Sequence, residues 1–440
     1  MSFIFPGGHT VFLENDTRVT RPGNGTLFSN DLYTDKMIEY VNKTKDDGNP
    51  LFMYLAFQVA HSPFMAPLDT VENYSQIYGA GWDTVREQRF EKQKELGIWP
   101  TNMTLTKALP PNVEWDSLTQ EQRDYAAQIL AVRAAMIENM DDNIGRLIDH
   151  LKQSGEYDNT IVFTSDNGGS EPTQLPEAIL LFNGVDYTAL PAFVKNLNNS
   201  LSNLGELTSS VNYGAWGPYV SSTPLAGFKA GLYEGGTRAP FIIKEPSADK
   251  TTPATTSAAA NATTPINNFI FVTDLTPTFL DYASVPEAGS TYNGTEVHPI
   301  MGESIRPILN GSAEEIHGED DPIGSEMFNS TAVYKGPWLA LRSGGDPTGN
   351  WQLYNIVTDP IQNNNLAEEQ PDLLQQMISD YQKYSEEVGI VIPTGAKAAL
   401  QYSKISPPIN QTQTINLDQI LPPFQKPNAT DLKNALQMTF

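Results

Sequence analysis

The feature that most constrains the fold is a long amphipathic segment that runs into a short apolar one. In residues 118–154, apolar side chains recur at helical spacing and form one stripe: Tyr125, Ile129, Val132, Met136, Met140, Ile144, Leu147 and Leu151. Thr119 and Gln122 have the spacing of a capping box, and Gly155 ends the pattern. Residues 160–164 (TIVFT) follow as a buried strand. This succession of helix and strand favours a layered α/β fold.

Three other stretches extend this pattern. Residues 31–41 have helical spacing, residues 51–57 (LFMYLAF) are apolar on both alternating faces, and residues 239–244 (APFIIK) form another apolar run. A strand that is apolar on both faces is typical of the centre of a sheet covered by helices on both sides. The sequence therefore predicts a mixed, largely parallel central sheet flanked by helices.

The pattern changes after residue 320. Residues 331–334, 338–342 and 351–355 read as short strands, and residues 371–388 follow with helical spacing. Short strands followed by one helix predict a smaller C-terminal α+β domain.

Charge and cysteine content exclude several classes of function. The chain has 27 Lys and Arg against 52 Asp and Glu, a formal net charge of -25, which disfavours binding to nucleic acid or to acidic lipid surfaces. It contains no cysteine, which excludes disulfides and thiol nucleophiles within these residues. The longest apolar run, residues 51–60, is far shorter than the ~20 residues that span a bilayer, so we expect no transmembrane helix.

Glycosylation sequons point to secretion. Asn-x-Ser/Thr begins at Asn15, Asn24, Asn42, Asn73, Asn102, Asn198, Asn261, Asn293, Asn310, Asn329, Asn410 and Asn428. Loops rich in Asn, Ser and Thr also generate sequons without any glycan, and this alternative stays open. We expect a secreted or secretory-pathway glycoprotein in the full-length form. The first residues are not a signal peptide, because they have neither a basic start nor a sustained apolar stretch.

The first motif with chemical potential follows the strand at residues 160–164. Ser165-Asp166-Asn167-Gly168 lies at its C-terminal end, the edge where ligands bind in open α/β sheets. A carboxylate beside an amide carbonyl supplies two hard oxygen ligands for Ca²⁺ or Mg²⁺. The structural alternative is an ordinary Asx-Gly turn.

Two further motifs carry cationic or titratable groups. His61 ends the stretch at residues 51–57 and precedes Pro63, so its imidazole could protonate a leaving group near neutral pH. Lys229 and Arg238 flank a Gly-Gly turn in KAGLYEGGTRAP, where cations could hold an oxyanion. A hydrogen-bonded structural histidine and a charged surface loop are the alternatives.

The three motifs in this order resemble the sulfatase family, particularly its arylsulfatase branch. His-Ser-Pro, Ser-Asp-Asn-Gly-Gly and Lys-Ala-Gly-x-x-Glu-Gly-Gly-x-Arg-x-Pro carry the resemblance, supported by DLTPTFLDYA at residues 274–283. The resemblance implies an alkaline-phosphatase-like layered fold. It divides the chain into a catalytic domain lacking its first part (1–320), a small C-terminal α+β domain (321–395) and a Pro-containing tail (396–440).

The resemblance also implies a chemistry. In that family a cysteine converted to formylglycine, in a Cys-x-Pro-x-Arg motif, forms a hydrate that attacks sulfur. A divalent ion, typically Ca²⁺ with Mg²⁺ as the alternative, orients the sulfate. By resemblance, Asp166 and Asn167 are metal ligands, His61 contacts the sulfate and helps to protonate the leaving oxygen, and Lys229 grips the sulfate. Arg238 is given no catalytic role.

The nucleophile motif is missing from these residues. The nearest serine version, Ser222-Thr-Pro224-Leu-Ala226, ends in Ala where Arg is required and lies beside Lys229, so we interpret it as a coincidence. We therefore expect the chain to be a downstream piece of a longer sulfatase, with formylglycine in a preceding segment, and to be inactive by itself.

Two other functions stay open at this stage. One is a non-catalytic protein that binds sulfated glycans through the retained cationic groups, and the other is a phosphoester hydrolase of the same superfamily. The expected partner is a sulfate-ester small molecule or a sulfated glycan. The residues that choose among aryl, steroid and sugar sulfates are expected in the excursion at residues 170–222. The sequence does not indicate an oligomeric state.

Overall fold

The computed structural model describes residues 12–19, 28–105, 114–169, 198–206, 208–213, 216–246, 265–344 and 349–391. The helices are α1 (Ser29–Thr44), α2 (Leu68–Tyr78), α3 (Trp82–Glu95), α4 (Gln120–Ser154), α5 (Trp216–Ser221), α6 (Glu234–Thr237), α7 (Leu275–Tyr282), α8 (Arg306–Leu309) and α9 (Pro371–Val388). The strands are β1 (Phe12–Glu14), β2 (Thr17–Val19), β3 (Val162–Ser165), β4 (Phe241–Lys244), β5 (Thr291–Tyr292), β6 (Thr295–Glu296), β7 (Ile323–Met327), β8 (Ser330–Lys335), β9 (Trp338–Arg342) and β10 (Gln352–Asn355). The described structure combines helices with paired strands, which confirms the predicted α/β class.

Helix α4 is the longest described element, and the signals in its sequence explain where it begins and ends. The Thr119 amide donates to Gln122 Oε1 at 2.9 Å, and the Gln122 amide donates to Thr119 Oγ1 at 3.3 Å. This reciprocal capping box satisfies two amide donors that a helix start leaves open. At the other end Gly155 adopts a left-handed φ of 79°, which stops the helix as predicted. Helix α4 packs on α2 and also contacts α1, where Asn143 donates a hydrogen bond to Asp31.

The main core contains a cluster of tryptophans beside α4. Trp82, at the start of α3, stacks on Trp216 with 5.3 Å between ring centroids, and it meets Trp115 edge-on at 4.9 Å. Trp82 and Trp216 are each 1% exposed. Burying rings of this size contributes much of the stability of a core, so this cluster fixes α3 and α5 against each other.

The sheet that carries the candidate site is a two-stranded antiparallel ribbon. Strand β3 pairs with β4 in a register that runs from Val162 opposite Lys244 to Ser165 opposite Phe241. The strand at residues 160–164 and the run at residues 239–244 are thus confirmed as strands. All strand pairs within the described ranges are antiparallel. The parallel pairing that we predicted is represented there only by a bridge between Met65 and Gly205.

The central strand predicted at residues 51–57 is wrong for the described structure. These residues belong to no strand, and the side chains of Phe52 and Tyr54 are 76% and 78% exposed. An apolar stretch becomes a strand only where a neighbour accepts its backbone hydrogen bonds. No strand of the described part pairs with residues 51–57, and residues 53–57 line a cleft instead.

The C-terminal region forms a second sheet with two covered faces. Its order is β10-β9-β8-β7, antiparallel throughout, and strand β8 is buried over almost its whole length. Because side chains alternate, one face packs on α9 around Met377 and Tyr381, and the other carries Tyr334 and Leu339. Helix α9 has the predicted bounds. Strand β7 was missed, because its Ile-Gly-Ser-Glu-Met sequence lacks a strand-like pattern.

Some sequence-based expectations fall outside the described residues. They are most of the excursion proposed to select the substrate, residues 170–197, and the tail at residues 396–440. Within the described ranges, none of the helices combines the length and apolar character needed to cross a membrane.

The tryptophan cluster predicts a large, local effect on stability. Trp82→Ala should lower the free energy of unfolding by about 3–5 kcal/mol, because it removes a fully buried ring and leaves a cavity against Trp216. Leu96→Ala, at a side chain that is 52% exposed at the end of α3, is the control and should change it by less than about 0.5 kcal/mol. Urea denaturation followed by circular dichroism of the helices, which does not rely on tryptophan fluorescence, measures the free energy of unfolding of both variants. Equal losses in the two variants would contradict the assigned core.

Candidate active site

The first part of the candidate site is the turn that follows β3. Asp166 and Asn167 are exposed at the end of this strand, and the Asp166 carbonyl accepts a hydrogen bond from Ser165 Oγ at 3.3 Å. Gly168 has a φ of +95°, a conformation that a residue with a Cβ rarely adopts. The turn therefore presents a carboxylate and an amide side chain together at the edge of the ribbon.

The second part is the loop that carries Lys229, and it packs directly on this turn. The Lys229 amide donates to the Gly169 carbonyl at 2.8 Å. A Cβ on Gly168 would lie 3.1 Å from the Gly236 carbonyl oxygen and 3.4 Å from Lys229 Cβ, so the two loops touch where glycine leaves room. Lys229, which is far along the chain from Asp166 and Asn167, is thus brought close to them.

His61 is the third part and has a defined tautomer. Its Nδ1 lies 2.7 Å from the Ser62 carbonyl oxygen. A carbonyl oxygen only accepts hydrogen bonds, so Nδ1 carries the proton in the neutral ring, and Nε2 then presents a lone pair. When the ring is protonated, Nε2 becomes a donor. The backbone of His61 is held in a turn by its amide, which donates to the Gln58 carbonyl at 3.0 Å.

The four predicted site residues, His61, Asp166, Asn167 and Lys229, line one cleft. Its volume of about 3440 Å³ exceeds the roughly 300–1,000 Å³ of an ordinary small-molecule site. Its walls include residues 53–57 and both strands of the β3–β4 ribbon, and they also reach α1 and the C-terminal sheet. Because the cavity is this large, the shared lining does not by itself bring His61 next to Lys229.

A buried carboxyl lies behind the Lys229 loop. Glu234 is 3% exposed, and burial raises its pKa from 4.5 to about 7, while Arg238 and the Tyr334 hydroxyl partly oppose this rise. Glu234 Oε1 accepts from the Tyr334 hydroxyl at 3.5 Å, and Glu234 Oε2 lies 3.5 Å from Arg238 Nη1. Burial beside this carboxyl also raises the pKa of Tyr334. The Glu234 carboxyl therefore changes its charge near neutral pH.

Arg238 bridges this carboxyl to the wall of the cleft. Its guanidinium lies 4.9 Å from the centroid of the Trp99 ring, in a cation–π arrangement, while its other side faces Glu234. Sequence reasoning gave Arg238 no role and did not single out Glu234, Trp99 or Tyr334. The Glu-Gly-Gly motif was visible, but a charged residue beside two glycines predicts an exposed turn rather than a buried carboxyl.

Ser222, the partial match to a serine nucleophile motif, also lies in this region. Its Oγ is 3.4 Å from the Gly235 carbonyl oxygen, and it would be 2.8 Å from a Cβ placed on Gly169. The Ser222 hydroxyl thus joins the end of α5 to the Gly235–Gly236 turn by donating to a carbonyl. A serine nucleophile needs a base as the acceptor of its proton, and a carbonyl oxygen cannot serve as one.

A layered α/β chain that gathers a carboxylate, an amide, an ammonium and an imidazole at one cleft has the groups of an ester hydrolase for anionic substrates. A model of the sulfatase family matches residues 5–285, more than half of the chain, and the chain belongs to this family. The resemblance to the sulfatase family stated from the motifs is thereby confirmed, together with the layered α/β class of the fold.

Individual relatives agree with this membership. The chain is 33% identical over 391 residues to an uncharacterised sulfatase of Schizosaccharomyces pombe, covering 87% of this chain and 66% of the relative. It is 32% identical over 302 residues to an arylsulfatase of Klebsiella aerogenes, covering 68% of this chain and 60% of that protein. A 25% identical match over 313 residues to an N-acetylglucosamine-6-O-sulfatase of Bacteroides thetaiotaomicron covers 69% and 42%. The chain thus spans two thirds or less of the length of these relatives.

The divalent cation that the family implies is tested by the donors around the turn. Asp166 and Asn167 supply hard oxygen atoms of the kind that Ca²⁺ binds, but Ca²⁺ takes roughly 6–8 of them. Within the described ranges, no group of three or more His, Cys, Asp or Glu side chains is arranged to hold a metal ion. Asp166 and Asn167 therefore fit the chemistry of the ion but do not by themselves form a complete site.

The buried carboxyl predicts a pH-dependent stability. Between about pH 4.5 and about pH 7 the folded chain keeps a proton on Glu234 that the unfolded chain releases, so the free energy of unfolding falls as pH rises and levels off above about pH 7. The pKa rise corresponds to about 3 kcal/mol. Glu234→Gln does not titrate and should lack this contribution.

Urea denaturation of both proteins across this pH range measures the difference between their unfolding free energies. Relative to the variant, the wild type should lose about 3 kcal/mol from the acidic to the alkaline end. A difference that stays constant with pH would contradict the buried state of Glu234.

Proposed function

We propose that the chain supplies the anion-binding and proton-donating side of a sulfuric ester hydrolase, the activity expected of the full-length form. The observation that carries this proposal is the direct packing of the Asp166–Asn167 turn on the Lys229 loop through the hydrogen bond from Lys229 to Gly169. The pairing gathers an ammonium and two metal-type oxygen donors at a cleft edge. Family membership supports sulfate rather than another anion as the group that is bound.

Each predicted residue has a role that fits its surroundings. The Lys229 ammonium pairs with a sulfate oxygen and reduces negative charge on the departing group. His61, protonated at Nε2, donates a proton to the ester oxygen as it leaves, while Nδ1–H stays bound to the Ser62 carbonyl and orients the ring. Asp166 and Asn167 contribute oxygen ligands to a bound Ca²⁺, with Mg²⁺ as the alternative, and this ion would supply charge neutralisation at the sulfate.

The nucleophile belongs to a segment outside these 440 residues in this proposal. Formylglycine is made from a cysteine in a Cys-x-Pro-x-Arg motif or from a serine in its serine counterpart. The chain has no cysteine, and its nearest serine motif ends in Ala226 instead of arginine. The donation from Ser222 to a carbonyl supports the same view.

The proposed substrate class is a sulfate ester of a small molecule or of a glycan. Two relatives are an arylsulfatase and a sulfatase named for a sugar, N-acetylglucosamine. The choice between them depends on loops, and most of the excursion at residues 170–222 lies outside the described residues.

Sulfate binding tests the role of Lys229. Inorganic sulfate should bind to the chain, and Lys229→Met should weaken this binding about tenfold or more, because a charge-assisted hydrogen bond contributes about 1.5–3 kcal/mol. Lys152→Met removes a lysine charge at the far end of α4 and serves as the control. Isothermal titration calorimetry measures the affinities. Equal affinity in the two variants would refute Lys229 as the sulfate contact.

A turnover assay tests the assignment of the nucleophile. The purified 440-residue chain should not hydrolyse 4-nitrophenyl sulfate, because it lacks the group that attacks sulfur. The same assay on Ser222→Ala controls for an unexpected serine nucleophile. Hydrolysis by the wild type above the rate of His61→Ala would show that the chain carries its own nucleophile and would overturn this part of the proposal.

A further inference from the structure

The Lys229 loop contacts the C-terminal region through Leu232, Tyr233 and Glu234. Tyr233 packs into the apolar cluster of that sheet with Leu232, and its hydroxyl donates to Gln352 Oε1 at 2.6 Å. The Glu234 amide donates to Gln362 Oε1 at 2.7 Å. The sheet therefore holds the residues that follow Lys229 by both apolar packing and hydrogen bonds.

The front side of the same loop forms the wall of the candidate site. The two peptide groups after Glu234 belong to Gly235 and Gly236, whose carbonyl oxygens lie 3.5 and 3.1 Å from the position of a Cβ on Gly168. Glu234 thus lies in the part of the loop that contacts both the C-terminal sheet and the Asp166–Gly169 turn.

The carboxyl of Glu234 uses its two oxygens for two different partners. Oε1 accepts a hydrogen bond from the hydroxyl of Tyr334 on β8, and this hydroxyl also lies 2.9 Å from Thr237 Oγ1. Oε2 faces Arg238, whose guanidinium also contacts the ring of Trp99 on the cleft wall. A carboxylate satisfies both donors at once. An amide in its place would turn an NH₂ group toward one of them, so two donors would face each other.

We propose that Glu234 is a positioning residue of the anion site: its carboxyl joins Tyr334 of the C-terminal sheet to Arg238 and thereby holds the loop that carries Lys229 against the Asp166–Gly169 turn. This inference rests on the proposed function, because the site that it positions is the sulfate site proposed above. The C-terminal sheet then has a functional task, since it sets the place of a sulfate-binding lysine that belongs to another part of the chain.

The test compares variants on the two faces of the C-terminal sheet. Glu234→Gln and Tyr334→Phe remove the charge and the hydroxyl of the proposed link. Asp380→Asn and Tyr381→Phe make the same chemical changes at buried side chains of α9, on the opposite face of the sheet. Thermal unfolding of all four variants reports how much each change costs in stability alone.

Inorganic sulfate is the probe of the site. Glu234→Gln should weaken its affinity about tenfold and Tyr334→Phe about threefold, as expected for loss of one or two hydrogen bonds, while both α9 variants stay within about twofold of the wild type. Equal affinity in all four variants would overturn the positioning role while leaving the proposed function intact.

A pH profile separates positioning from a purely structural effect. The charged or titratable groups that face the Glu234 carboxyl are Arg238 of its own helix and Tyr334 of β8, and the segment after β10 contributes the uncharged Gln362. Contributions that are the same in the wild type and in Glu234→Gln cancel in the ratio of their sulfate affinities, so this ratio isolates Glu234. This ratio should change between about pH 5.5 and about pH 8, and a constant ratio would contradict the inference.

If the wild type binds no sulfate, the proposed function fails, and hydrogen exchange still decides the positioning role. The Lys229 amide is protected by its hydrogen bond to Gly169. Its exchange should accelerate about tenfold in Glu234→Gln and stay unchanged in Asp380→Asn. Unchanged exchange in Glu234→Gln would overturn the inference.

Discussion

The hydrogen bond from the Lys229 amide to the Gly169 carbonyl joins two loops at the point where chemistry is expected. One is the turn that follows β3, and the other is the loop before β4, which also packs on the C-terminal sheet. Neither loop alone contains both an ammonium and the paired oxygen donors. The site exists only where the loops meet, and the close approach depends on glycines at that contact.

A buried carboxyl at such a junction carries a cost in stability. An apolar residue in place of Glu234 would make the folded chain more stable, since the raised pKa reflects the free-energy penalty of ionising Glu234 away from water. The chain keeps it where it can connect Tyr334 with Arg238. Costly polar groups of this kind are expected near functional sites, where geometry matters more than stability. The location of Glu234 behind Lys229 agrees with an anion site at the front of the loop.

Local signals in the sequence predicted part of this structure well. The capping box and Gly155 defined helix α4, and the short strands predicted from the sequence match β9, β10 and most of β8. Residues 51–57 were misjudged, because apolar character says nothing about whether a neighbouring strand is present to pair with them. The ordered motifs identified the family, which the family match confirms. The burial of Glu234 depends on contacts across more than a hundred residues, which no local pattern encodes.

The central claim is that Lys229 and the Asp166–Asn167 turn form one anion site with His61 at its edge. A crystal of the 440-residue chain soaked in selenate, whose selenium scatters anomalously, tests it directly. The account predicts an anomalous peak with selenate oxygens within about 3.5 Å of Lys229 Nζ, in the cleft lined by His61 and Asn167. A well-diffracting crystal with no peak there, or with selenate bound only elsewhere, would contradict it.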